Sequence, residues 1–181
     1  MITITFFLQV SKLWRDAAYK KSVWKGMTAR LHLTKSTKCE ENHLFKSLVE
    51  RGIKHVQILG LRKSSLKELV SGIPNLQSLN LSGCYNLSDG NIDMTFNKKV
   101  TNLKTLDLSF CKEITDNSVA RIATHCDNLE TVDLDGCSKI TDQGLFYLAN
   151  LPRLKSLNLK SCRQISGKRF RISIIFVELT I

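Results

Sequence analysis

Six cysteines and four histidines are the side chains of this chain best suited to nucleophilic attack, metal ligation or cross-linking. Their spacing decides among these uses. No C-x-x-C or H-x-x-x-H pair occurs, so zinc finds no ligand set of familiar spacing. Cys84, Cys111, Cys137 and Cys162 follow one another at intervals of 27, 26 and 25 residues, each inside the same local motif. That is a repeat register and not a cross-linking pattern. Reduced, buried thiols fit it best, and they imply a reducing compartment, the cytoplasm or the nucleus. The histidines His32, His43, His55 and His125 are dispersed, and only His125 stands beside a cysteine, Cys126. An enzyme needs a nucleophile, a base and a pocket. The sequence offers no such set, so we expect no catalytic residue, no metal and no cofactor.

The elements that carry the cysteines emerge when the chain is aligned on them. Four copies read Leu76-x-x-Leu79-x-Leu81-x-x-Cys84, Leu103-x-x-Leu106-x-Leu108-x-x-Cys111, Leu129-x-x-Val132-x-Leu134-x-x-Cys137 and Leu154-x-x-Leu157-x-Leu159-x-x-Cys162. A degenerate earlier copy lies on Ile53, Val56, Ile58 and Leu61, which makes about five rungs within residues 34–166. This is the leucine-rich-repeat signature. Alternation of apolar residues over a short run makes a strand. The ninth position turns inward at its end, where a small thiol fills a buried corner and donates weakly to a loop carbonyl. After each of the first three cysteines comes a Ser/Thr-Asp step, Ser88-Asp89, Thr115-Asp116 and Thr141-Asp142, a helix-start signal. The helices that follow bring Val119, Ile122 and Ala123, then Leu145, Leu148 and Ala149, to one face. The expected fold is α/β, a leucine-rich-repeat solenoid with parallel strands on the concave face and helices on the convex face.

Such a solenoid turns alternate strand side chains outward, and these are the candidate substrate-binding residues. They are His55 and Gln57; Ser78, Asn80 and Ser82; Thr105, Asp107 and Ser109; Thr131, Asp133 and Asp135; Ser156, Asn158 and Lys160. The middle of this array is acidic. Asp107, Asp133 and Asp135 predict a protein partner that brings Lys or Arg to its bound segment.

The whole chain is basic, with a formal net charge of +11 over 181 residues. Residues 1–75 hold 14 Lys and Arg against 5 Asp and Glu, whereas residues 76–181 hold 13 against 11. The basic residues are scattered, without a run of five, so a solvated face is expected and no nucleic-acid partner. The opening residues 1–9 are apolar and form an atypical extension, too short for a membrane span and without the basic start of a signal peptide. No membrane partner is expected. Residues 167–181 form an atypical β-prone tail in place of the next Asp-initiated helix.

Residues 10–33 stand outside the repeat and read as two short helical pieces followed by the strand-like Leu31-His32-Leu33. Trp14, Ala17 and Ala18 fall on one helical face, and Tyr19 and Trp24 add aromatic weight. The stretch Trp14-Arg15-Asp16-Ala17-Ala18-Tyr19 with Ser22-Val23-Trp24 resembles the final helices of an F-box. With the cysteine-type repeats behind it, the chain resembles the F-box/leucine-rich-repeat proteins of the partner-of-paired type over roughly residues 10–166. The resemblance implies a non-catalytic substrate-recognition subunit of a cullin-based, SCF-type ubiquitin ligase. Trp14, Tyr19 and Trp24 would face the adaptor Skp1, and the repeats would hold the protein to be degraded. It also implies a truncated F-box and a shortened repeat array, as in a piece of a longer protein. A repeat-only scaffold or competitor, without Skp1 docking, is the alternative.

Overall fold

Leu79, Leu106, Val132 and Leu157 are each the buried middle residue of a three-residue strand whose two flanking side chains are half-buried. This in-out alternation is what the repeat demands. The structure, a computed structural model, describes residues 20–61, 64–166 and 178–180. A 3-10 turn at Lys21–Trp24 precedes strand β1 (Thr28–His32), helix α1 (Lys38–Glu50), β2 (His55–Gly60) and α2 (Ser65–Gly72). Then follow β3 (Ser78–Asn80), α3 (Asp89–Thr95), β4 (Thr105–Asp107), α4 (Asp116–His125), β5 (Thr131–Asp133), α5 (Asp142–Leu148), β6 (Ser156–Asn158) and β7 (Glu178–Thr180). The seven strands form one parallel sheet in chain order. Strand-helix alternation with an open, sequentially ordered parallel sheet is the leucine-rich-repeat solenoid that the sequence predicts.

The sheet begins earlier than the repeat motif does. β1 pairs in parallel with β2, Thr28 opposite His55 and Leu31 opposite Ile58, although it lies ahead of residue 34, where the motif starts. Only Leu31 of this strand is buried, in the register place of Ile58, so β1, which overlaps the strand-like Leu31-His32-Leu33, carries one inward leucine in place of the full spacing by which the later rungs are recognised. At the other end β7 pairs with β6. Trp14, Tyr19 and residues 167–177, on which the helical and tail readings fall, lie outside the described residues.

The helix starts follow from side-chain chemistry. Thr115 Oγ1 accepts the Asn117 N–H at 3.2 Å and Thr141 Oγ1 accepts the Gln143 N–H at 3.1 Å, which satisfies backbone donors that a first helical turn leaves free. α1 carries a full capping box in which Thr37 N donates to Glu40 Oε2 at 2.7 Å and Glu40 N to Thr37 Oγ1 at 3.3 Å. Between sheet and helices runs one continuous core to which every rung contributes, from Leu31 to Cys162. Val119 and Ile122 are buried there, as are Leu145 and Leu148. Ala149 is exposed, against expectation, although as the C-cap of α5 it keeps helical dihedrals and its N–H donates to Leu145 O at 2.9 Å.

The cysteines fill the predicted corner. All six are free thiols, Cys39 exposed and the other five buried. Sγ of Cys84, Cys111, Cys137 and Cys162 points back to the carbonyl of Ile58, Leu81, Leu108 and Leu134 in the preceding rung, at 3.9, 3.3, 3.2 and 3.0 Å. Burial pushes the Cys84 thiol up to about 11 and that of Cys111 up to about 12, and it raises those of Cys137 and Cys162 as well. These thiols are held neutral and inert.

Candidate functional site

The sheet face turned away from the helices gathers the fourteen predicted residues into three rows. The first runs His55, Ser78, Thr105, Thr131, Ser156, and the second Gln57, Asn80, Asp107, Asp133, Asn158, each a register partner of the next. The third is Ser82, Ser109, Asp135 and Lys160, just past the strand ends. Most are half-buried, Lys160 is exposed, and Ser109 is buried. Ser109 thus departs from the outward reading: its Oγ lies 2.6 Å from Asp107 Oδ1 and 2.7 Å from Ser82 Oγ, which turns it into the surface.

The second row polices its own geometry. Asn80 Oδ1 accepts the Ser82 N–H at 3.0 Å, Asp107 Oδ1 that of Ser109 at 2.9 Å, Asp133 Oδ1 that of Asp135 at 2.9 Å, and Asn158 Oδ1 that of Lys160 at 3.1 Å. Each side chain therefore folds the backbone two residues ahead, the Asx turn. Across the strands, Asn80 Nδ2 donates to Asp107 Oδ2 at 2.6 Å and Asn158 Nδ2 donates to Asp133 Oδ2 at 3.0 Å. The two amides flank two carboxylates, and Asp107 and Asp133 are left as direct register partners. The predicted acidic centre is thereby brought together on adjacent rungs. Its members differ in circumstance: Asp107 and Asp133 accept hydrogen bonds at both oxygens, while Asp135 Oδ1 is buried without a hydrogen-bond partner among the described residues.

At the opposite ends of the strands, Glu130 bridges Lys104 at 3.0 Å and Lys155 at 2.6 Å. Hydrogen bonds from Lys155 and Lys104 hold its carboxyl down at about 2. Charge there is already matched, which leaves unmatched charge concentrated at the Asp135 side.

Two exposed aromatics flank repeat cysteines and escape the leucine pattern. Tyr85 is 67% exposed and Phe110 45% exposed. Phe110 stands immediately before Cys111, where the other copies carry Gly60, Gly83, Gly136 and Ser161. Reading that one column down the copies would have singled it out. Of the three residues expected to face an adaptor, only Trp24 is described. It packs against the core, with the Arg51 guanidinium 5.6 Å from its ring centroid; Arg51 itself is buried and donates to Ser47 O at 3.0 Å. Trp24 thus closes the first end of the described array.

Among the described residues no three His, Cys, Asp or Glu side chains converge as metal ligands, and no helix is long and apolar enough to cross a membrane. Residues 99–123 and 125–149 match the leucine-rich-repeat family. The fold is similar, with a TM-score of 0.57 at 20% identity, to a chain in the crystal structure of the Rad7 and Elc1 complex in yeast; the match covers 76% of this chain and 38% of that one. The two matched segments and the repeating strand-helix rungs together make this fold a leucine-rich-repeat solenoid, an architecture whose sheet face typically serves as a scaffold for protein interaction.

Proposed function

We propose that this chain is the substrate-recognition part of a cullin-based ubiquitin ligase, and that it holds a target protein on the outward rows of its sheet. One observation carries the binding half of this reading. Asn80, Asp107, Asp133 and Asn158 are cross-braced into a pre-set polar surface, and a rigid surface binds with less ordering cost than a mobile one. The ligase half is supported by the resemblance of residues 14–24 to the end of an F-box and by the fold's similarity to a chain of the Rad7 and Elc1 complex. The test is co-purification of this chain with Skp1, beside a version extended by complete F-box helices. Binding by both makes this chain an adaptor in its own right. Binding by the extended version alone assigns the adaptor role to the longer protein, and binding by neither removes the ligase reading.

A second reading, a repeat-only scaffold or competitor, is favoured by Trp24. Its ring is committed to Arg51 and the core, which leaves less of it for an adaptor.

A further inference from the structure

Phe110 occupies a backbone conformation that glycine tolerates and bulky residues avoid. The column before the cysteine reads Gly83 at φ +72°, Phe110 at +59°, Gly136 at +69° and Ser161 at +58°, and a left-handed backbone crowds any Cβ. The hydrophobic core does not claim the ring, which remains 45% exposed. It lies over Gly136 so closely that a Cβ at that position would meet Cδ1 at 2.7 Å and Cε1 at 2.9 Å. A second glycine therefore makes the room that the ring uses.

Asp135 is the backbone neighbour of Phe110 across the rungs, since Phe110 N donates to Asp135 O at 2.6 Å, and it immediately precedes the Gly136 over which the ring lies. Its side chain is half-buried, and Oδ1 has no hydrogen-bond partner among the described residues. Lys160, next in the row, forms no ion pair with it among the described residues. Asp133, two residues back in the same rung, adds charge of the same sign.

We propose that Phe110 and Asp135 together seat one arginine side chain of the bound protein segment, its guanidinium over the phenyl ring and its charge against the carboxylate. This rests on the reading of the outward rows as a protein-binding surface. An aromatic face attracts a cation that comes within about 6 Å of its centroid. A carboxylate alone would take lysine as readily, but a guanidinium both stacks on a ring and presents a planar fork of donors to the acid. The net charge of +11 sets the remainder of the chain against a basic segment, so the acidic rows are where such a segment is drawn.

The experiment is selection of short random peptides displayed on phage against the full chain, followed by titration of a selected peptide by fluorescence anisotropy. Arginine is expected to be enriched at one peptide position. Phe110→Trp should keep affinity, whereas Phe110→Leu, which retains apolar bulk without the π face, should weaken it by about fivefold. Asp135→Asn should weaken it by about tenfold. Replacing the peptide arginine by citrulline should abolish both differences, a coupling that mere misfolding would not produce, and circular-dichroism melts check that each variant folds. Peptides without arginine enrichment, or peptides that bind Phe110→Leu and Asp135→Asn as they bind the original chain, overturn the seat. Thr131→Arg, in the centre of the first row, separates the two levels. If it abolishes binding of arginine-free peptides, the face binds protein through other anchors and only the seat fails. If no peptide is selected, or binding ignores Thr131→Arg, the protein-binding reading of the face fails as well.

Discussion

Gly136 meets two demands at once, a left-handed backbone at φ +69° and space for the Phe110 ring. Gly136→Ala should therefore cost about 1–2 kcal/mol from the backbone alone, with a steric addition that Phe110→Ala relieves; urea denaturation of the two single variants and the double variant reads this as less-than-additive loss. The thiols make a second prediction at this scale. Five of the six are buried, with burial raising each of those five thiols. A native chain at neutral pH should thus be alkylated quickly at Cys39 alone, and the other five only on unfolding, as mass spectrometry would count. The cysteines were legible because residue type and period agree on a buried corner. Phe110 falls at a position the motif writes as any residue, and only the glycines in the same column, Gly60, Gly83 and Gly136, point to the left-handed backbone it must adopt. The burial of Ser109 was not legible, since strict alternation turns it outward and only its hydroxyl partners turn it back.

Helix starts show how a correct local reading can hold half of the physics. The hydroxyls of Thr115 and Thr141 cap their own helices, as the Ser/Thr-Asp step implies, but the aspartates serve the neighbouring rung. Asp89 accepts Thr115 N at 2.9 Å and Thr115 Oγ1 at 2.7 Å, and Asp116 accepts Thr141 N at 2.9 Å and Oγ1 at 2.6 Å. Asp142 does the same for Ser166, at 2.9 Å and 2.5 Å. A single sequence reveals what an aspartate can do at a helix N-terminus; which rung it reaches depends on how the rungs stack. Asp116→Ala should cost about 2 kcal/mol through the stranded Thr141 donors, seen as a lower denaturation midpoint. Asp89 adds a pH dependence. Burial pushes its carboxyl up, but hydrogen bonds from Ser118 and Thr115 outweigh this and hold it below the usual value. A carboxyl lowered by folding stabilises the chain above its unfolded value near 3.9 and loses that contribution as pH falls through the folded one. The thermal midpoint of the chain should thus drop more steeply below about pH 4 than that of Asp89→Asn, which starts lower and falls less.

For the molecule as a whole, stability is shared between rungs and their interfaces, so damage in the middle touches both neighbours. Leu106 is fully buried in β4, between β3 and β5. Leu106→Ala should cost about 3 kcal/mol, and hydrogen exchange should quicken in β3 and β5 as well as in β4. The solenoid was legible at this scale because one pattern recurs; at the first end a strand was legible at Leu31-His32-Leu33, but not its place in the sheet, because β1 joins by backbone pairing without the full leucine pattern. One set of the side-chain bonds between rungs, at the thiols, the loop amides and the helix starts, runs in a common direction. Asp89 and Asp116 wait as acceptors for the following rung, and the thiols of Cys111 and Cys137 and the amides of Asn102 and Asn128 donate to carbonyls of the preceding one. A nascent chain emerges from the ribosome N-terminus first, so each new rung brings these donors to acceptors already in place and also supplies carbonyls to backbone donors that wait, as Asp135 does for Phe110 N; the ladder can be laid down one step at a time while translation continues.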